Sequence, residues 1–322
     1  MGDLFVLTEQ PIRSLVGFGD EELAAVEAVY PLISRGEAVM PPIMRIDIVD
    51  HNGEVDVKSA YLPGYDGIAI KVSAGFFDNP GLGLPSLGGF MMVLDSRTGV
   101  PAAALFDNGY LTDLRTALAG AVAARHLARA GPVAVAVLGT GAQARYQVEA
   151  LKLVRELASL TIWGRRREAA EKLAADLGGD PAATIEEAVA GADLVVTATP
   201  ATEGLMEERH LRPGLHITAV GSDAEHKREL GEGVLAAADL VVVDSAAQSL
   251  RLGEARSAVE EGYDAARLVE LGAVVSARHP GRSSEAQITI CDLTGTGAQD
   301  TAIAALTVSR ARERGVGDVI AT

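Results

Sequence analysis

The sequence predicts an α/β protein: a doubly wound parallel (Rossmann) sheet plus a smaller α+β domain. Three observations carry that prediction. An apolar, β-branched run at 133–138 ends in Gly139-Thr140-Gly141-Ala142-Gln143-Ala144, a G-x-G-x-x-A turn with a helical pattern after it. From residue 133 onward, strand-like and helix-like segments alternate at short intervals, as in a parallel sheet covered by helices. Before it, short extended segments are separated by Pro and Gly turns, which suggests a mostly antiparallel sheet with little helix of its own.

Taken in order, a helix-like stretch at 20–33 precedes extended segments at 43–49, 54–61, 67–73 and 89–95. An Ala-rich stretch at 113–130 favours a long helix that leads into the 133–138 strand. Further strands are expected at 160–163, 194–198, 216–220 and 240–244, with helices at 146–154, 167–177 and 185–189. The stretch 300–314 reads as a helix that returns to the first domain. The expected division is therefore 1–117 with 298–322 as one domain and 118–297 as the other.

Composition narrows the function. With 322 residues, 48% hydrophobic and 22% charged, the chain has the balance of a globular protein with room for two cores. A formal net charge of −16 argues against nucleic acid and anionic membranes as partners. No apolar run approaches the roughly 18 residues that span a bilayer, and the first residues lack the layout of a signal peptide, so a cytoplasmic location is expected. Cys291, the single cysteine, excludes an internal disulfide and reads as a small core residue in the apolar run 288–293. The six histidines are scattered, so no metal site is expected.

The chemistry starts at the glycine turn. Gly139 permits a sharp exit from the strand, Gly141 lets backbone N–H groups approach a pyrophosphate, and Ala144 keeps the following helix close, its positive end facing the anion. An acidic residue normally binds the adenosine ribose some 20 to 25 positions on. Here that place holds Trp163-Gly164-Arg165-Arg166-Arg167, with no carboxylate. Guanidinium groups suit a ribose phosphate, which favours NADP over NAD; the plainer reading is a solvated helix start, with Arg167 flanking Glu168 and Glu171.

Three cations stand in unusual places. Arg45 and Lys71 lie where strands are otherwise apolar, and Arg115 opens the long helix. A cation in an apolar strand is costly unless paired or facing a polar cleft. Each alone fits a structural salt bridge; the three together would receive a small carboxylate.

These residues resemble the ornithine cyclodeaminase and mu-crystallin family, which also includes ketimine reductases, pyrroline-carboxylate reductases and archaeal-type alanine dehydrogenases. The resemblance covers nearly the whole chain. It rests on Arg45 after Pro41-Pro42, Lys71, the segment Leu111-Thr112-Asp113-Leu114-Arg115-Thr116-Ala117, the glycine turn, Val220-Gly221-Ser222-Asp223, and Asp292-Leu293-Thr294-Gly295-Thr296-Gly297-Ala298-Gln299-Asp300. It implies that Arg45, Lys71 and Arg115 hold a substrate carboxylate, and that Asp223 exchanges a proton at the substrate nitrogen, with Lys71 as a second catalytic group. A rival reading makes Asp223 an N-cap for a helix starting near Ala224. Implied cofactor contacts are Ser86, where relatives often carry Thr, with Arg115, Thr116, Gly139, Thr140, Gly141, Ala142, Gln143, Gly164, Arg165, Arg166, Gly221, Ser222 and Asp300. The first domain would bind substrate and form a homodimer through its sheet.

Two departures bear on activity. Asp56 stands where ornithine cyclodeaminase has Glu, beside Lys58 where that enzyme has an apolar residue. The arginine-rich end of the second strand is more like mu-crystallin, which binds NADPH, than like the NAD-using cyclodeaminases. The resemblance therefore implies an NADP-dependent reductase of a cyclic or linear imino acid. Alternatives are a cyclodeaminase, which returns the hydride it borrows and releases ammonia, and an NADPH-binding protein with little turnover. The stretch 50–58 most resembles the cyclodeaminase-like branch of ectoine utilisation, which implies a diamino acid or an imine derived from one.

Overall fold

The computed structural model describes residues 3–321. Among them, strands run in chain order as β1 (Asp3–Thr8), β2 (Met44–Ile48), β3 (Gly53–Ala60), β4 (Gly67–Phe76), β5 (Leu87–Asp95) and β6 (Pro101–Phe106). There follow β7 (Val133–Leu138), β8 (Leu157–Trp163), β9 (Asp180–Pro181), β10 (Leu194–Thr197), β11 (His216–Ala219), β12 (Leu240–Val243), β13 (Val269–Glu270), β14 (Thr289–Asp292) and β15 (Asp318–Ala321). The chain divides into two compact units, Met1–Arg115 with Thr296–Thr322, and Thr116–Gly295. No helix among the described residues is long and apolar enough to cross a membrane.

The first unit is a sheet in the order β15-β1-β6-β5-β4-β3-β2, antiparallel except where β1 runs parallel to β6. Strands β1, β6 and β15 were not expected. The Ala-rich β6 has weak intrinsic strand preference and is held by pairing on both sides, a non-local cause that sequence pattern does not show. The helix content also exceeds the expectation, with Glu9–Leu15 added, and the 20–33 stretch divides into Asp20–Glu27 and Val29–Ser34. Pro31 has no N–H to give the carbonyl four residues back, which weakens the ladder at that junction.

Cross-strand pairing sorts the sheet into two faces. On one, Ala60, Ala69, Met91, Val93, Ala103 and Leu105 are buried. Helix Gly297–Arg314 is fastened there, because Thr301 Oγ1 donates to the Ala60 carbonyl (2.9 Å) and accepts the Ala69 N–H (3.2 Å). The other face carries an apolar row across five strands, Met44, Val57, Val72, Phe90 and Phe106. Met44 is 54% exposed and Phe106 47%, and the Phe90 and Phe106 ring centroids lie 5.9 Å apart.

The second unit is an all-parallel sheet in the order β13-β12-β14-β11-β10-β7-β8-β9. Three strands here were not expected, the two-residue β9 and β13 and the longer β14; β14 sits between β11 and β12, fully buried, and contains Cys291, whose thiol pKa burial pushes up. Two helix expectations shift. The helix after the glycine turn is Ala142–Leu151 rather than 146–154, since Gly141 itself is its N-cap. The long helix is Tyr110–Leu127 rather than 113–130. Asp107 Oδ2 accepts the Leu111 N–H (2.7 Å) at its start, and Arg155 takes the Ala124 and Arg125 carbonyls (3.0 and 2.9 Å) near its end.

Candidate active site

In the second unit the carboxyl ends of β7, β8 and β10 surround a cavity of about 450 Å³. Gly139 has φ 140°, and a Cβ there would strike the Ala198 carbonyl oxygen. Its N–H donates to the Trp163 carbonyl (2.9 Å), tying the turn to the end of β8. Gly141, by contrast, has no heavy atom within 4 Å of where a Cβ would stand, so the helix N-terminus is left open to an anion. Gly164 is needed because a Cβ would sit 2.5 Å from Thr140 Cγ2. Thr140, Arg165 and Arg166 line this cavity, and the lining includes no acidic residue. Arg167 does not join them: its Nε donates to Glu171 Oε1 (2.7 Å), an i,i+4 pair on the helix surface. The residues present thus fit a dinucleotide, with two guanidinium groups rather than three at its ribose end.

The other expected contacts of this unit have partners within it. The Thr116 carbonyl accepts Gln147 Nε2 (3.1 Å), which also lies 3.5 Å from Gln143 Oε1. Gly221, Ser222 and Asp223 follow β11. The Asp223 side chain is 49% exposed, and Lys227 Nζ donates to its Oδ1 (2.6 Å). No helix begins at Ala224, which removes the N-cap reading; the next helix is Val234–Ala237. Sequence reasoning missed Glu229, buried beneath this loop, and its neighbours Glu254 and Asp292. Burial, reinforced by the Glu229 charge, pushes Glu254 up to about 7.

In the first unit the structure brings Lys71, Arg115 and Asp300 together. All three are at most 3% exposed. Asp300 Oδ1 accepts Lys71 Nζ (3.1 Å) and Arg115 Nε (2.8 Å), and Lys71 Nζ lies 2.9 Å from Oδ2. Arg115 Nη1 also donates to Gln299 Oε1 (3.0 Å). Burial, then the charge of Arg115, brings Lys71 down to about 7, against the pull of Asp300. Burial opposes the charge on Asp300, yet Arg115 and Lys71 hold its pKa below the usual carboxylate range. Asp300, implied as a cofactor contact, is thus the buried counter-ion of the two cations. Two cations share one carboxylate, so one positive charge is left over.

Lys58 stands opposite Lys71 on the neighbouring strand, and Asp56 and Arg45 form the next pair on the same face. Arg45 is no isolated cation: Nε donates to Asp47 Oδ1 (2.8 Å), Nη2 binds Glu54, and Nη1 lies 3.9 Å from Asp56. Ser86 lies in the 77–86 connection, where its carbonyl accepts the Phe76 N–H (2.7 Å). Asp107 was missed. It is 1% exposed and one residue past β6, and burial raises its pKa to about 6 while backbone N–H groups and Lys71 pull it down. Its signal was the Asp-Asn-Gly turn ahead of the long helix.

Fold and cavity together define an α/β protein with a glycine-turn cavity whose residues fit a dinucleotide and a charged face on its other sheet. The chain belongs to the ornithine cyclodeaminase/mu-crystallin family, whose profile matches residues 5–315. It is 48% identical over 324 residues to a putative dehydrogenase of Rhizobium meliloti, covering 97% of each chain. It is 47% identical over 328 residues to an uncharacterized cyclodeaminase of Sinorhizobium fredii, covering 99% of each. The structure of Thermococcus litoralis Δ1-pyrroline-2-carboxylate reductase with NADH and L-proline superposes with a TM-score of 0.91, 28% identity, and coverage of 98% and 100%. Similar proteins also include an iminosuccinate reductase, an archaeal alanine dehydrogenase dimer with bound NAD, and a lysine cyclodeaminase that recognises lysine, ornithine and 2,4-diaminobutyric acid.

Proposed function

We propose that this protein reduces a cyclic or linear imino acid to the amino acid with NADPH. The observation that carries the reading is the buried Lys71–Arg115–Asp300 cluster with one uncompensated positive charge, which suits a substrate carboxylate. A bound dinucleotide would supply the hydride, and the Gly139–Gly141 turn would hold its pyrophosphate. Fixing the carboxylate orients the neighbouring carbon, and orientation is a large part of the gain in such a transfer. Asp223 would exchange the proton at the substrate nitrogen, and Lys71, with a pKa near 7, is poised to give or take one beside the carboxylate. Arg165 and Arg166, with no acidic residue in the same cavity, support NADPH over NADH. The apolar row from Met44 to Phe106 supports a homodimer formed through that face.

A second reading, a diamino-acid cyclodeaminase, is favoured by one observation. Asp56 and Glu54 share the sheet face of Lys58 and Lys71, where they suit the second amino group of a diamino acid. Incubation with pyrroline-2-carboxylate, ornithine and 2,4-diaminobutyrate, following NADPH absorbance and ammonia together, separates the two. NADPH loss with an imine supports reduction. Ammonia without net change in cofactor supports cyclodeamination instead.

A further inference from the structure

The loop that follows β11 is stapled to the end of β10 by one carboxylate. Glu229 Oε2 accepts the Gly221 N–H and the Thr197 hydroxyl, both at 2.7 Å. Glu229 Oε1 accepts the Thr199 N–H (2.6 Å) and the Thr199 hydroxyl (2.7 Å). A Cβ at Gly221 would stand 2.6 Å from Oε1, so the approach requires glycine there. Glu229 is fully buried and receives all four bonds from neutral donors. Behind it, Glu254 accepts the Glu229 N–H (2.8 Å) and the Leu230 N–H (3.0 Å), which fixes the backbone that carries the carboxylate.

The bonds to Thr199 and Gly221 lie beyond the sheet's own ladder, and the two segments are joined a second time where the Arg228 N–H donates to the Ala201 carbonyl (2.8 Å). The β10–β11 pairing ends at Thr197 and Ala219, whereas Thr199 and Gly221 are two residues beyond it. The segment after β10 forms one wall of the dinucleotide cavity through Ala198 and Thr199. The segment after β11 runs Gly221-Ser222-Asp223 and is closed on itself, since Ser222 Oγ donates to the Lys227 carbonyl (2.8 Å) and Lys227 Nζ to Asp223 (2.6 Å). A buried carboxylate with no cation against it is expensive unless its oxygens are filled by donors. A chain that needed only to pack here would use an apolar side chain.

We infer that Glu229 is a positioning residue, whose carboxylate sets the cavity wall after β10 and the loop carrying Asp223 at a fixed separation. This rests on the proton-exchange role proposed for Asp223. Glu229→Gln places an amide N–H against the Gly221 N–H while leaving an oxygen for Thr199. In that variant, hydrogen exchange at Gly221 and 222–228 should accelerate while the β10 and β11 amides stay protected. Turnover of the imino acid should fall by about 10- to 100-fold in kcat, the scale of a small misplacement, with KM and NADPH affinity unchanged. Thr197→Val, which removes one donor, gives the same pattern in smaller measure and serves if the first variant does not fold. Unchanged exchange in a folded Glu229→Gln protein overturns the inference whatever its activity, and so does faster exchange with full kcat. Asp223→Asn, assayed in parallel, judges the function separately: full activity there sinks the role of Asp223, while the exchange data still decide whether Glu229 holds the loop.

Discussion

In the first unit two buried cations, Lys71 and Arg115, share one carboxylate; in the second a group of buried carboxylates shares N–H and hydroxyl donors. Lys71 and Arg115 converge on Asp300 and remain one charge in excess. Glu229, Glu254, Asp244 and Asp292 are all nearly or fully buried and are met by donors such as the N–H groups of Gly221, Leu230, Gly295 and Ala255. Asp292 Oδ1 has no hydrogen-bond partner among the described residues, and burial followed by the Glu254 charge pushes this carboxyl's pKa well up. The difference is the one expected if the first cluster is the ligand site proposed above and the second a scaffold. Excess charge of one sign is tolerated where an ion from outside completes it, whereas carboxylates satisfied by dipoles need nothing further.

The comparison predicts unequal costs. Asp300→Asn strips the carboxylate that binds both buried cations and should cost about 3–5 kcal/mol in denaturant unfolding, the range for breaking a buried pair. Glu254→Gln should cost less, and the contrast breaks if the two are equal. Asp223→Asn should lower kcat/KM by about 10²- to 10⁴-fold, the usual worth of a positioned acid or base, with no loss of melting temperature.

The two regions should also titrate in opposite senses. Lys71 falls from 10.5 to about 7, so between those values the unfolded chain binds the extra proton and stability rises with pH. Glu254 rises from 4.5 to about 7, so in that window the folded chain binds the extra proton and stability falls as pH rises. Denaturation midpoints from pH 4.5 to 10.5 should show the falling limb reduced by Glu254→Gln, with Asp107, raised to about 6, supplying part of what remains, and the rising limb reduced by Lys71→Met. Limbs left at full size by these substitutions contradict the assignment.

The smallest effects concern the cofactor. Arg165→Asp should shift preference from NADPH towards NADH by about 10- to 100-fold, the worth of a hydrogen bond to a charged group. Arg167→Ala, one helix turn into its pair with Glu171, should leave preference as it is. Quenching of Trp163, the single tryptophan and a lining residue of the cavity, reports both affinities.

What was legible follows from the range of the interactions. The turn at Gly139 announces itself because strand, glycines and helix are contiguous, and Arg165 is found by its spacing from them. Glu229 gave no such signal. Its partners Thr197 and Gly221 lie 32 and 8 residues away, and one buried glutamate in an unstructured stretch looks like any surface acid. The end of the long helix was misplaced for a similar reason, since Arg155 takes the carbonyl of Ala124 from 31 residues away.

By itself the sequence determined the parallel sheet, its glycine turn and the unusual cations of the first domain, because periodicity, φ freedom and charge in an apolar strand are local properties. Only the tertiary structure decided that Asp300, 229 residues from Lys71, is the counter-ion that leaves one charge uncompensated. It likewise decided that Arg45 is bound to acids of its own and the neighbouring strand, and that Glu229 joins two strand ends. Buried charge is paired by proximity in space, and chain separation carries no record of it.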